Sequence, residues 1–112
     1  ADAIRVIDGD TVAIGQEHIR LVEPDAPEIV HPRCNAEFAK GLRAADRLQH
    51  LLTGPVTIAR TGRRDRYRRT LASVTTGQGN VAEILIREGL ALRYKSGADA
   101  YRQRALHWCP PP

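Results

Sequence analysis

The sequence predicts an α+β domain, mainly β: a five-stranded Greek-key barrel with about three α-helices packed outside it. Three observations lead there. Short period-two runs crowd the N-terminal end, two more β-like runs follow one long amphipathic segment, and two brief helical segments come last. With 112 residues, the chain fits one domain, residues 1–112.

In chain order, residues 3–7 alternate around Ile4 and Val6, and residues 11–14 and 17–22 continue the alternation. Gly15-Gln16 is the expected hairpin turn between the last two, so the three runs read as a β-meander. "EPDAPEIVHP" carries three prolines and predicts a loop over 23–34. Residues 36–53 predict a helix. Phe38, Leu42, Ala45, Leu48 and Leu52 recur at spacings of three and four, Asn35 can cap the start, and Gly54-Pro55 stops it. "VTIA" at 56–59 and "TLASVT" at 70–75 are strand-like, with the arginine-rich stretch 60–69 between them as a hairpin tip. Asn80 and Glu83 form a capping-box pattern for a helix over 81–88, closed by Gly89. Residues 98–107 predict a third helix, and "PPP" a non-helical tail.

The formal charge is +4 and the pI about 9.6. This favours polyanionic partners, nucleic acid first. Of the 17 basic residues only Lys40 and Lys95 are lysine. Arginine binds phosphate through a rigid fork of donors, although a GC-rich genome produces the same bias. No apolar run approaches the roughly 20 residues of a membrane span. The chain contains no methionine, even at position 1. Ala1 then reads as a processed or trimmed start, which favours a secreted or periplasmic protein, with a cytoplasmic one as the alternative. Cys34 and Cys109 have no zinc-like spacing. They fit two buried thiols, or one disulfide worth about 4 kcal/mol in the loop-entropy picture, which would imply export.

Three segments carry more charge than a core needs: Asp8-Gly9-Asp10-Thr11; "RLVEPDAPE" with Arg20, Asp25 and Glu28; and "DRYRRTLA" with Asp65, Tyr67 and Arg69. Each lies at a strand end or in the adjacent loop, where functional groups gather. Asp10 and Asp25 offer two carboxylates and Ala26 a carbonyl, the oxygen donors a hard cation such as Ca²⁺ prefers. Glu28 lies near enough to handle a water proton. Arg20 and Arg69 suit a phosphate and the charge that builds on it. Together these parts fit metal-assisted phosphodiester hydrolysis. Singly, each has a local reading as well: the aspartates as turn formers, Asp25 and Glu28 as a solvated loop, Arg20 as a strand ion-pair partner, the arginine run as a solvated tip.

Four stretches in register change that balance: "VIDGDTV" at 6–12, "RLVEPDAPE" at 20–28, "DRYRRTLA" at 65–72 and "EILIREGLALRY" at 83–94. Through them the sequence resembles the staphylococcal nuclease (thermonuclease) family over nearly its full length. The resemblance implies a five-stranded OB-fold barrel with three helices, and Ca²⁺-dependent cleavage of DNA and RNA that leaves 3′-phosphates. It implies Asp10 and Asp25 as calcium carboxylates with the Ala26 carbonyl, and Glu28 as general base. Arg20 and Arg69 become the phosphate clamp, and Tyr67 with Tyr94 the nucleotide-pocket tyrosines. Asp8 and Thr11 support the metal from behind its ligands. Two positions depart from the pattern. Arg68 stands where the family usually has glycine and adds positive charge for substrate binding, and Pro24 precedes Asp25.

His18, His31, His50 and His107 show no ligand spacing and read as structural. Trp108 is expected to pack the C-terminal segment onto the barrel, with base stacking as the lesser alternative. A monomer acting on DNA and RNA is the leading expectation. A non-catalytic nucleic-acid-binding module, and a protein-interaction domain for which no residue argues, are the alternatives.

Overall fold

A computed structural model describes residues 3–111. Ala1 and Pro112, parts of the expected trimmed start and proline tail, lie outside the described residues. The elements in order are β1 (Ile4–Asp8), β2 (Thr11–Ile14), β3 (Glu17–Leu21), β4 (Pro24–Asp25), α1 (Asn35–Leu51), β5 (Val56–Arg64), β6 (Thr70–Thr76), β7 (Gly79–Asn80), α2 (Val81–Arg87), β8 (Leu92–Arg93) and α3 (Ala98–Trp108). The molecule is α+β, with three helices and a mixed sheet.

The meander β1-β2-β3 forms as the alternation predicts, with Val6 opposite Val12 and Val12 opposite Ile19. Gly15 takes the positive φ, 58°, that its two-residue turn requires. β3 then pairs in parallel with β6, Arg20 beside Leu71, and β6 pairs antiparallel with β5. One rung therefore runs Thr11–Arg20–Leu71 across three strands and lines up all three charged segments of the sequence. The sheet order is β1-β2-β3-β6-β5, with β7 on β6, and a separate two-stranded ladder joins β4 to β8. Among the described residues the pairings give a mixed sheet with no ladder joining β5 back to β1.

The core lies between this sheet and the helices: Val12, Ile19 and Leu21 from the meander, Ala72 and Val74 from β6, Leu48 and Leu51 from α1, and Val81 and Leu85 from α2. Truncating a fully buried side chain such as Leu48 to alanine typically costs 2–5 kcal/mol.

α1 departs from its predicted face. Its buried residues are Glu37, Gly41, Ala44, Leu48 and Leu51, whereas Phe38 and Leu42 are 41% and 48% exposed. Close packing explains the rotation. A Cβ on Gly41 would stand 2.9 Å from both Ile29 Cγ1 and the Pro27 carbonyl, so only a small residue lets loop 26–33 lie against the helix. The cap is Cys34, whose Sγ accepts from the Glu37 N–H at 3.3 Å, with Asn35 already inside the helix.

β5 continues through Arg64, past the predicted end at Ala59, because Arg60 is held by Glu17 of β3 at 2.7–2.9 Å and Thr61 Oγ1 donates to the Leu71 carbonyl. The hairpin tip shrinks to 65–69. Within the predicted loop, Pro24-Asp25 makes a short ladder with Leu92-Arg93.

Candidate active site

The β1–β2 turn carries the first charged segment. A bulge between Val6 and Asp8 precedes it. Gly9 earns its place by packing: a Cβ there would lie 2.7 Å from Ala26 Cβ and 2.8 Å from Ala44 Cβ. The turn, the Asp25–Glu28 loop and α1 meet at three small residues, and that contact sets Asp10 beside Ala26. Asp10 Oδ2 accepts from the Ala26 N–H at 2.9 Å and its Oδ1 from Thr11 Oγ1 at 3.0 Å. Asp8 is buried and accepts from the Asp10 N–H at 3.3 Å, which holds the turn from behind.

The guanidinium groups come from β3 and the β5–β6 hairpin. Arg20 donates to the Leu21 and Pro24 carbonyls at 2.6 and 2.8 Å, and its Nη2 lies 3.6 Å from Asp10 Oδ2. Pro24, the departure ahead of Asp25, thus takes part through its carbonyl. Arg69 is oriented by Asp65 at 2.7 Å and by Thr11 Oγ1 at 3.3 Å. Tyr67 is exposed between Arg66 and Arg69, whose guanidinium carbons lie 4.9 and 5.4 Å from its ring centre. Tyr94 stands between Arg20 and Arg104 at 5.9 and 5.5 Å. Arg68 takes the left-handed backbone, φ 64°, that a glycine would fill without strain.

A cleft of about 660 Å³ collects Asp10, Arg20, Asp25, Glu28, Tyr67, Arg69 and Tyr94 on its walls. Asp8, Thr11 and Ala26 support it without lining it, and Arg68 lies outside it.

The carboxylates crowd one another. Burial, then the hydrogen bond and charge of Asp10, push Asp8 up to about 8. Burial raises the Asp25 carboxyl, with Arg104 opposing and Asp10 reinforcing. Burial also raises Glu28, helped by Asp10, Glu37 and Asp25. Asp25 Oδ2 is buried and faces the Arg104 guanidinium of α3. An acidic cluster with oxygen ligands throughout fits a hard divalent cation. Among the described residues no three of His, Cys, Asp and Glu converge as a metal cluster. A cation here would draw on two carboxylates, carbonyls and water.

Two residues escaped the sequence reading. Glu37 is fully buried. It accepts from the Glu28 N–H at 3.0 Å, from the Arg33 N–H at 2.8 Å, and from the Arg33 guanidinium at 2.7 and 2.9 Å. It is the tether that holds the Glu28 loop to α1. An acidic residue four before Gly41, on the small-residue face, was the available signal. Arg104 of α3 forms an ion pair with Asp25, and nothing local in the sequence marks it. Sγ of Cys34 and Cys109 are bonded, joining the start of α1 to the end of α3.

Comparison with known proteins identifies the family of the chain. Residues 18–108 match the family model described as staphylococcal nuclease homologue. The Staphylococcus hyicus thermonuclease is 38% identical over 94 residues, 79% of this chain and 55% of that protein. The Staphylococcus intermedius thermonuclease is 37% identical over 104 residues, 88% of this chain and 62% of that protein. The chain thus spans somewhat over half the length of these curated relatives. It belongs to the staphylococcal nuclease family.

Proposed function

We propose that the chain is a Ca²⁺-dependent phosphodiesterase that hydrolyses DNA and RNA with little sequence preference and leaves 3′-phosphate products. One observation carries the proposal: Arg20, Arg69 and Glu28 share a cleft with Asp10 and Asp25. Asp10, Asp25 and the Ala26 carbonyl would hold the ion, with Thr11 and Asp8 fixing the Asp10 turn. When bound, Ca²⁺ supplies divalent positive charge for a phosphate oxygen and for the attacking water. Arg20 and Arg69 present forked donors to the scissile phosphate and stabilise the charge that grows on it, each already oriented by protein acceptors. Glu28, its carboxyl raised by burial, takes the water proton. Tyr67 and Tyr94 offer ring faces to sugar and base, and Arg68 adds charge at the rim. Phosphate contacts carry no base information, so broad specificity follows.

The sheet is read as the OB-type barrel, with β1 and β5 as its meeting edges, and the protein as a monomer. The Cys34–Cys109 bond supports an oxidising compartment, secreted or periplasmic.

Digestion of plasmid DNA and of RNA with Ca²⁺ and with excess chelator tests the proposal. Cleavage should require the ion, and Arg69→Ala or Glu28→Gln should lower kcat by at least about 100-fold. Undiminished cleavage in chelator would sink the mechanism. Binding of single strands without cleavage under any divalent ion would leave the non-catalytic reading.

A further inference from the structure

Asp25 borders two cavities. On one side is the cleft that holds Arg20 and Arg69. On the other lies a smaller one of about 240 Å³, lined by Asp25, Glu28, His31, Arg33, Tyr101 and Arg104. Arg104 reaches Asp25 from this second side. Its Nε pairs with Asp25 Oδ2, and each side chain is only 16% exposed. The pair is a direct ion pair between Nε and Oδ2. The guanidinium is fixed elsewhere as well: Nη1 donates to the Lys95 carbonyl at 2.6 Å, and the Tyr94 ring lies 5.5 Å away.

The helix that carries Arg104 is anchored independently of Asp25. Cys109 at its C-cap is bonded to Cys34 at the N-cap of α1. Lys40 Nζ donates to the Trp108 carbonyl at 3.2 Å, and the Arg33 guanidinium lies 5.2 Å from the Tyr101 ring. Arg104 therefore cannot leave Asp25 by a loose swing of the whole segment.

We propose that Arg104 is a resident counter-cation of Asp25 that sets the protein's affinity for Ca²⁺. Resting on the Ca²⁺ reading above, it gives α3 a positioning role at the metal site. Without the ion, Arg104 compensates a carboxylate that is mostly withdrawn from water. With the ion, the same fixed charge opposes a divalent cation sharing the Asp25 carboxylate. In a partly buried site such repulsion is strong, because the effective dielectric is well below that of water. On the cleft side Arg20 is a second cation, 3.6 Å from Asp10 Oδ2, but its guanidinium also serves the Leu21 and Pro24 carbonyls, whereas Arg104 is the one paired directly with Asp25.

Ca²⁺ titration by calorimetry, with disulfide-intact protein stripped of metal and without nucleic acid, tests this. Arg104→Gln and Arg104→Met remove the charge and keep the length of the side chain. Both should bind Ca²⁺ about tenfold more tightly than the parent protein, while Arg104→Lys should stay within about threefold of it. Thermal melts give a second readout. The neutral variants should melt lower than the parent in chelator and gain more on adding Ca²⁺, since a tighter ligand stabilises more. Unchanged or weaker Ca²⁺ binding in both neutral variants overturns the proposal while leaving the metal reading intact. An equal gain in Arg104→Lys also overturns it, since charge would then be irrelevant. If neither parent nor variants bind Ca²⁺ at all, this proposal and the metal reading fall together.

Discussion

Arg68 holds a backbone conformation that only glycine adopts without penalty, φ 64°, in the turn closed by the Arg68 N–H to the Asp65 carbonyl and the Asp65 N–H to the Arg69 carbonyl. A non-glycine residue there costs about 1 kcal/mol. The turn nonetheless holds its shape, because Asp65 accepts from the Tyr67 and Arg69 N–H groups and grips the Arg69 side chain. The arginine therefore strains the turn without displacing its neighbour. Arg68→Gly should raise the melting temperature by about 4 °C, read by calorimetry. The same change should shrink the salt dependence of single-strand binding by roughly 0.7 in log–log slope, the share of one phosphate contact. A lower melting temperature would show that the side chain stabilises the fold. This position was legible only through the family resemblance, which has glycine there, since a turn that suits glycine needs a positive φ whatever residue fills it. Gly9 was legible only in part. A glycine between two aspartates reads as part of a turn, and its actual demand is the close approach of Ala26 and Ala44, which depends on a helix more than thirty residues away.

At the scale of elements, α1 shows where periodicity misleads. Phe38 and Leu42 made the more apolar stripe, yet the helix turns its small face to the site, because Gly41 and Ala44 let loop and turn approach and Glu37 meets their backbone. Apolar spacing registers hydrophobic area and is blind to a buried carboxylate that collects four donors. Burial alone would push the Glu37 carboxyl up. Hydrogen bonds from the Arg33 side chain and from the Glu28 and Arg33 N–H groups outweigh it and hold it at about 2. Its pKa is thus lower in the folded chain than the ordinary 4.5 of the unfolded one. A depressed acid of this kind contributes stability that is fully present above pH 4.5 and is lost as pH falls toward 2. The contribution is on the order of 2–3 kcal/mol. Urea unfolding at pH 7 and pH 3 should show Glu37→Gln closing much of the gap between the two pH values. At pH 7 the variant should lose about 3 kcal/mol, because Arg33 keeps its charge without its partner. An unaltered acid sensitivity in Glu37→Gln would assign the pH effect to other carboxylates. The strands were easier to read, since the N-terminal alternation maps onto β1, β2 and β3 almost residue for residue. β5 ran long because its extension rests on Arg60 meeting Glu17, a cross-strand pair that no run of β-formers announces.

For the whole molecule, two long-range links decide how the pieces become one site. The parallel β3–β6 pairing sets the Arg20 strand beside the strand that follows Arg69, and sequence spacing alone does not specify which strands become neighbours. The sequence reading named only the meander and the 60–69 hairpin as neighbours, so this pairing comes from the fold itself. The Cys34–Cys109 bond is the second link, and two cysteines 75 residues apart are equally compatible with free thiols until the fold brings them together. The bond closes a loop holding α1, the β5–β6 hairpin and α2, and it ties α3 across the back of the Asp25 loop. Restricting an unfolded loop of that length is worth about 4 kcal/mol. Cys34→Ser with Cys109→Ser should lower the unfolding free energy by about that amount in urea. Trp108 is the single tryptophan and is buried near the end of α3, so its fluorescence reports docking of that helix, while far-UV ellipticity reports the rest. α3 has few hydrophobic anchors besides Trp108, with Leu106 and Tyr101 exposed. In the double variant the fluorescence transition should therefore come at lower urea than the ellipticity transition, whereas in the parent the two should coincide. Coincident transitions in both proteins would mean that the side-chain contacts of α3 suffice to hold it. The disulfide would then act on the unfolded chain alone.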